Sequence, residues 1–199
     1  MIQIALFGTS ADPPTTGHQA IISWLCENFD WVAVWAADNP LKAGQQTALE
    51  HRAAMLRLVI EEIAATKDNL GFYSELSNPR TLETVRRARD IWPDASFSLA
   101  IGYDLVRQIP HWYKAEELLP QVRLVVVPRP GYSIAPADLE RLEDLGTSVA
   151  IAPLEPPRVS SSAYRQHRGN IAIGELQPLP PAVRSYIYRE QLYLCQEAK

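Results

Sequence analysis

Cysteine is scarce in this chain of 199 residues, and its two copies, Cys26 and Cys195, stand alone with no pairing pattern. That excludes a disulfide framework and a cysteine-built zinc site, and it fits a reducing compartment, so a cytoplasmic location is expected. No apolar run approaches the ~20 residues that a membrane span needs. The N-terminus has no basic patch leading into an apolar stretch, so no signal peptide and no membrane partner are expected. An excess of positive charge is missing too: 19 Lys and Arg face 23 Asp and Glu, a net charge of −4. This argues against a dedicated nucleic-acid binder while leaving room for a local basic pocket. Also absent are a Gly-Lys-Ser/Thr P-loop, a G-x-G-x-x-G fingerprint, internal repeats and any linker. A single domain over residues 1–199 is the expectation.

What is present is an alternation. Ile2, Ile4 and Leu6 read as a buried strand, and Gly17 through Ala20, Ile21, Trp24 and Leu25 as a helix. Trp31 to Ala36 is a second strand. Thr47-Ala48-Leu49-Glu50 has the form of a capping box opening a helix with Leu49, Ala53, Leu56, Ile60 and Ile63 on one face. Leu70 to Tyr73 is a short strand. Asn78 is expected to cap the next helix with Pro79 in its first turn, and Leu82, Val85, Arg89 and Trp92 to share its face. Strands follow at Ala95 to Ile101, Val122 to Val127 and Ser148 to Ala152, with a helix over Ala137 to Leu145. Beyond Pro153 to Pro157, a loop enters a helix near Arg165, and Pro180-Pro181 precedes a last helix carrying Val183, Ile187 and Leu192. The pattern predicts an α/β protein: a doubly wound parallel sheet with a C-terminal helical segment from about residue 160 to 199.

In such sheets ligands sit at the carboxyl ends of the strands. The loops there carry Thr15 and His18, Lys42, Asp104, and Arg158 with Arg165. The first, Leu6 to His18, is a strand feeding a small polar loop that opens a helix. The free N–H groups and positive dipole end of that helix would favour an anion such as phosphate, with His18 in the first turn. Read alone, the same residues also describe an ordinary loop.

Taken together, these loops resemble the nucleotidyltransferase family, and within it the nicotinate-nucleotide adenylyltransferases, over nearly the whole chain. The family's signature, an Asp-Pro pair followed by His or Thr, any residue, Gly and His, is similar to Asp12-Pro13-Pro14-Thr15-Thr16-Gly17-His18. More discriminating are Asn39-Pro40-Leu41-Lys42, His51-Arg52 to Met55-Leu56, Gly102-Tyr103-Asp104 with Trp112-Tyr113-Lys114, Ser160 to Arg165, and the tail Val183 to Tyr193. Three positions depart from the pattern. Thr15 replaces the more frequent histidine, Ala11 a phenylalanine, and Pro79-Arg80-Thr81 a Ser-Tyr-Thr.

The resemblance implies attack by the phosphate of nicotinate mononucleotide on the α-phosphorus of ATP, with Mg²⁺ accompanying ATP and no metal cage in the protein. It implies catalytic roles for His18, Thr15, Lys42 and Arg165. It places Gly8, Thr9, Ser10, Thr15, Gly17, His18, Gly102, Asp104, Ser161, Ser162 and Arg165 around ATP, and Lys42, Thr81 and Trp112 around the acceptor. Trp112 would stack on the pyridine ring. Asp104 has a helix cap as its alternative role, and so does Thr81, while His51 and His111 read as structural or rim residues. Nicotinamide mononucleotide or phosphopantetheine as acceptor, a non-catalytic nucleotide sensor and a homo-oligomer remain open alternatives.

Overall fold

A computed structural model describes residues 1–38, 46–129, 135–166 and 178–193. Six strands form one sheet: β1 (Gln3–Thr9), β2 (Trp31–Ala36), β3 (Leu70–Phe72), β4 (Ser96–Gly102), β5 (Arg123–Val127) and β6 (Val149–Ile151). Every pairing is parallel, in the order β3-β2-β1-β4-β5-β6. The chain therefore winds outward from β1 in one direction and, after β3, crosses back to lay β4 on its other side.

Alternation along the strands assigns the two faces. Ala5, Phe7, Val32, Val34, Val125 and Val127 face one way. They bury Ile22 and Leu25 of α1 (Thr16–Asn28), Met55, Leu56 and Val59 of α2 (Leu49–Ala64), and Val183 and Ile187 of α7 (Pro181–Arg189). Ile4, Leu6, Trp35, Leu99, Ile101, Leu124 and Val126 face the other way. They cover Leu82, Val85 and Ala88 of α3 (Thr81–Ile91), Leu118 of α4 (Ala115–Leu118) and Leu142 of α5 (Pro136–Glu143). This is the doubly wound parallel sheet that the alternation predicts. Of the C-terminal helical segment, α6 (Ser161–Gln166) and α7 lie within the described residues.

Local chemistry moves several boundaries. The capping box expected at Thr47 is not formed. The Thr47 carbonyl accepts from Arg52 Nε at 2.9 Å and its N–H donates to Asp12 Oδ2 at 3.3 Å, so α2 begins at Leu49 with Ala48 as its cap. The helix expected from Asn78 starts later. Asn78 Oδ1 accepts from the Arg80 N–H at 2.9 Å, an Asx turn that delays the first helical residue to Thr81. Arg89 is exposed but reaches the packed side, its guanidinium 5.2 Å from the centre of the Phe97 ring, while Leu82, Thr84, Val85 and Ala88 supply the buried face. Helix α5 stops at Glu143, short of Leu145.

Gly8 on β1 lies directly opposite Trp35 on β2, and the indole crosses the space a side chain would need. A Cβ there would stand 2.5 Å from Trp35 Cζ2. Gly8→Ala is expected to destabilise the fold by about 1–3 kcal/mol, because the buried indole must leave its position. Urea unfolding against the unsubstituted protein measures this, and an unchanged midpoint contradicts it.

Candidate active site at the switch point of the sheet

The winding of the chain reverses between β1 and β4, so a ligand is expected above their carboxyl ends. The loop after β1 enters α1 through a reciprocal cap. The Thr15 side chain accepts from the backbone of His18, and the His18 ring accepts from the Thr15 N–H through Nδ1 at 3.0 Å. Thr15 Oγ1 also lies 2.9 Å from Nδ1. An N–H pointing at Nδ1 needs a lone pair there, so the proton of the neutral ring is on Nε2. Burial, with Arg129 adding repulsion, pushes the His18 pKa down to about 4. His18 is therefore a neutral imidazole with one fixed N–H donor.

The start of α1 offers fewer free donors than a bare helix end would. The Thr16 N–H donates to the Pro178 carbonyl at 3.0 Å, His18 is capped by Thr15, and the Gln19 N–H returns to Thr15 O at 3.1 Å. Among the described residues, the Gly17 N–H is the first-turn donor left without a partner. A Cβ on Gly17 would sit 3.3 Å from Thr15 Oγ1 and 3.5 Å from Val159. Glycine keeps that close approach unstrained.

Beneath this turn lies Asp12, only 1% exposed. Its Oδ1 accepts from the Tyr193 hydroxyl at 2.6 Å, its Oδ2 accepts from the Thr47 N–H, and the Arg165 guanidinium lies 3.6 Å from Oδ2. Arg165 also donates to the Asp12 carbonyl. Burial and the neighbouring carboxylate raise the Tyr193 pKa, so the phenol remains the donor. Ser161 Oγ donates to the Pro13 carbonyl at 2.7 Å, pinning α6 to the same loop. The fully buried Arg52 fastens the next layer: its Nη1 donates to Ser10 O at 2.9 Å and to Ala37 O at 2.8 Å. Ala11 takes a positive φ of 45° in between, and the Asp12–Pro13 peptide is cis.

The other wall comes from β4 and β5. Gly102 ends β4, and a Cβ there would meet Asp104 Oδ1 at 2.6 Å, so glycine lets that carboxylate fold back over the strand end. Asp104 pairs with Arg129 at 3.4 Å, and Arg129 in turn acts on His18. Asp104 sits inside a 3₁₀ turn, Tyr103–Leu105, rather than capping a long helix. Trp112 follows the 3₁₀ turn Ile109–His111, half-buried against the core on the α3 side of the sheet. Thr81 is the first residue of α3, with the capping position taken by Arg80. The Arg80 guanidinium lies 4.2 Å from the centre of the Tyr113 ring, so the start of α3 touches the segment carrying Trp112.

The structure thus gathers Thr15, Gly17, His18, Ser161 and Arg165 on one side, with Thr9 and Ser10 leading into the loop. Gly102 and Asp104 stand at the neighbouring strand end, and Thr81 is tied through Arg80 to the Trp112 segment. Ser162 and Arg158 are exposed. His51 joins α2 to α7 through Tyr186, 2.9 Å from its hydroxyl, away from the crevice. Lys42 and the Asn39 to Lys42 motif, like Cys195, lie outside the described residues. Sequence reasoning passed over Arg129, and it named Asp12, Arg52 and Tyr193 only as parts of motifs, with no role of their own. Arg129 stands just past β5, where the rule that selects Asp104 would have found it. Nothing local in the sequence signals the long-range partners of Asp12.

A folded-state pKa below the usual ~6.5 of histidine means the folded chain binds fewer protons in between. The stability from keeping His18 neutral is present above that value and is lost as pH falls toward 4. The His18 ring resonances are expected to show no titration from about pH 5.5 to 8, and a midpoint near 6.5 by NMR would contradict this geometry.

Comparison with known proteins agrees with this architecture. The cytidylyltransferase-like family model matches residues 6–167. A Synechocystis protein named "Probable nicotinate-nucleotide adenylyltransferase" is 44% identical, covering 96% of this chain and 99% of its own. A protein of the same name from Gemmatimonas aurantiaca is 30% identical over 96% of this chain and 92% of its own. The nicotinic acid mononucleotide adenylyltransferase of Plasmodium falciparum, solved with APC, superposes with a TM-score of 0.78 at 19% identity, covering 97% of this chain and 98% of that one. It shares the fold. The chain belongs to the cytidylyltransferase-like family and, within it, groups with the nicotinate-nucleotide adenylyltransferases.

Proposed function

We propose that the chain transfers the adenylyl group of ATP to nicotinate mononucleotide, releasing pyrophosphate and forming nicotinate adenine dinucleotide in the synthesis of NAD. Identity with the Synechocystis relative over nearly the full length of both chains supports the acceptor. The observation that supports the chemistry best is the Thr15–His18 cap, which leaves one neutral N–H donor, Nε2, in the first turn of α1.

A phosphate monoester is already a nucleophile at neutral pH, so the site needs no base. It has to align two anions and stabilise the charge that grows on the phosphoryl oxygens and on departing pyrophosphate. His18 donates from Nε2 to those oxygens. Thr15 fixes the ring, and the Gly17 amide adds a backbone donor. Arg165, reached from Asp12, supplies a cation to the triphosphate, with Ser161 and Ser162 at the start of α6 beside it. Gly8, Thr9 and Ser10 line the approach to the phosphates, while Gly102 and Asp104 bound the nucleoside, Asp104 facing a ribose hydroxyl. Lys42, assigned from the sequence match, bridges the phosphates of the two substrates. Thr81 and Trp112 hold the mononucleotide, the indole against the pyridine ring.

A divalent metal accompanies ATP in reactions of this kind, and Mg²⁺ is the ion proposed here, entering as part of the substrate. Among the described residues no group of three or more His, Cys, Asp or Glu is placed to hold a metal. The ion is proposed to be carried on phosphate oxygens and water. The chain is proposed to act in the cytoplasm as one nucleotidyltransferase domain. Among the described residues, no helix is long and apolar enough to cross a membrane.

Purified protein with ATP and Mg²⁺ should release pyrophosphate with nicotinate mononucleotide in strong preference to phosphopantetheine. Equal turnover of phosphopantetheine overturns the acceptor, and no turnover with any acceptor favours a nucleotide sensor. His18→Ala should lower kcat by about 100-fold or more, the usual cost of one transition-state donor, while circular dichroism stays unchanged. A loss below about threefold removes His18 from the chemistry.

A further inference from the structure

We propose that Arg80, stacked on Tyr113, is a specificity-determining residue that selects an acceptor bearing a carboxylate on its ring over the carboxamide twin. The inference rests on the acceptor site proposed above and names what reads the charge there.

Arg80 and Tyr113 come from opposite halves of the sheet. Arg80 caps α3, which follows β3, while Tyr113 belongs to the segment that follows β4. Their contact, 4.2 Å from Cζ to ring centre, joins the two segments. The contact joins chain neighbours of both proposed acceptor residues, since Arg80 precedes Thr81 and Tyr113 succeeds Trp112. Both partners are exposed, Tyr113 at 44%.

The charges around the ring set Arg80 apart. Lys114 pairs with Glu117 at 2.9 Å and lies 5.8 Å from the centre of the Tyr113 ring. Arg86 takes the other oxygen of Glu117 and also Glu83. Two carboxylates thus serve Lys114 and Arg86. The Arg80 guanidinium meets no carboxylate among the described residues. The Asx turn from Asn78 fixes its backbone, and the Tyr113 face holds its side chain by a cation–π contact. A planar, permanently charged group with open donor edges, held beside the acceptor pocket, is the chemistry that recognises a carboxylate.

A nicotinate and a nicotinamide mononucleotide differ by one negative charge and almost nothing in shape. A nearby fixed cation therefore discriminates between them through charge alone, softened by solvent.

The test compares kcat/KM for the two mononucleotides, with ATP and Mg²⁺, in the unsubstituted protein, Arg80→Met and Arg80→Lys. Arg80→Met keeps the stem without the charge. It should lower kcat/KM for the carboxylate acceptor by roughly tenfold, through KM, and change that for the carboxamide by less than about twofold. Arg80→Lys should retain most of the preference. Equal loss on both acceptors in Arg80→Met would mean a structural role and overturn the proposal, as would an unchanged ratio. If the unsubstituted protein turns over neither acceptor, the proposed function fails and this inference with it. Turnover with an unchanged ratio removes this inference alone.

Discussion

The arrangement depends on one buried carboxylate. Asp12 has almost no contact with solvent, and a carboxyl group so placed must find its hydrogen bonds inside the protein. Its partners come from across the chain: the Thr47 amide at the entry to α2, the Arg165 guanidinium on α6 and the Tyr193 hydroxyl beyond α7. The loop that leaves β1 is thereby tied to three segments far from it in sequence. Arg165 sits where it does because Asp12 accepts it, and the Thr15–His18 cap stands on the same loop. The proposed phosphate-binding groups are consequences of a single electrostatic requirement.

A division of labour follows between neutral and charged donors. His18 is desolvated and kept neutral, so it offers direction: one N–H whose tautomer the Thr15 amide dictates. Cationic donors are guanidinium groups at the rim, Arg165 on one side and Arg129 on the other. A neutral donor costs little to hold in a partly dry crevice, whereas a cation needs a counter-ion until substrate arrives. Asp12 and Asp104 fill that role for the two arginines. Most of the first-turn amides of α1 are already engaged, by Pro178 and Thr15, which leaves the remaining donors narrowly aimed.

The sheet was legible from unbroken apolar runs such as Trp31 to Ala36 and Leu124 to Val127, because burial on both faces leaves its mark on local sequence. Thr15, Gly17, His18, Asp104 and Arg165 were legible as residues at strand ends and helix starts, together with the family pattern they match. What escaped was long-range. Thr47 reads as a helix cap until Asp12 and Arg52 claim its amide and carbonyl. Asn78 reads as another until its side chain turns onto Arg80. Asp12, Arg52 and Tyr193 carry no periodic signal, since their partners lie up to 181 residues away. Arg80 looked only like a departure from a motif, and its ring partner Tyr113 appears when the two halves of the sheet are brought together.

The central claim is that the Asp12 carboxylate assembles the ATP side of the crevice. Asp12→Asn keeps the shape and the carbonyl that Arg165 donates to, and removes only the charge facing it, so calorimetric titration with ATP tests it most directly. The account predicts a chain with unchanged secondary structure whose ATP affinity falls about tenfold or more, alongside a stability loss of about 1–3 kcal/mol from the weakened buried hydrogen bonds of Asp12. ATP affinity within about twofold of the unsubstituted protein would contradict it.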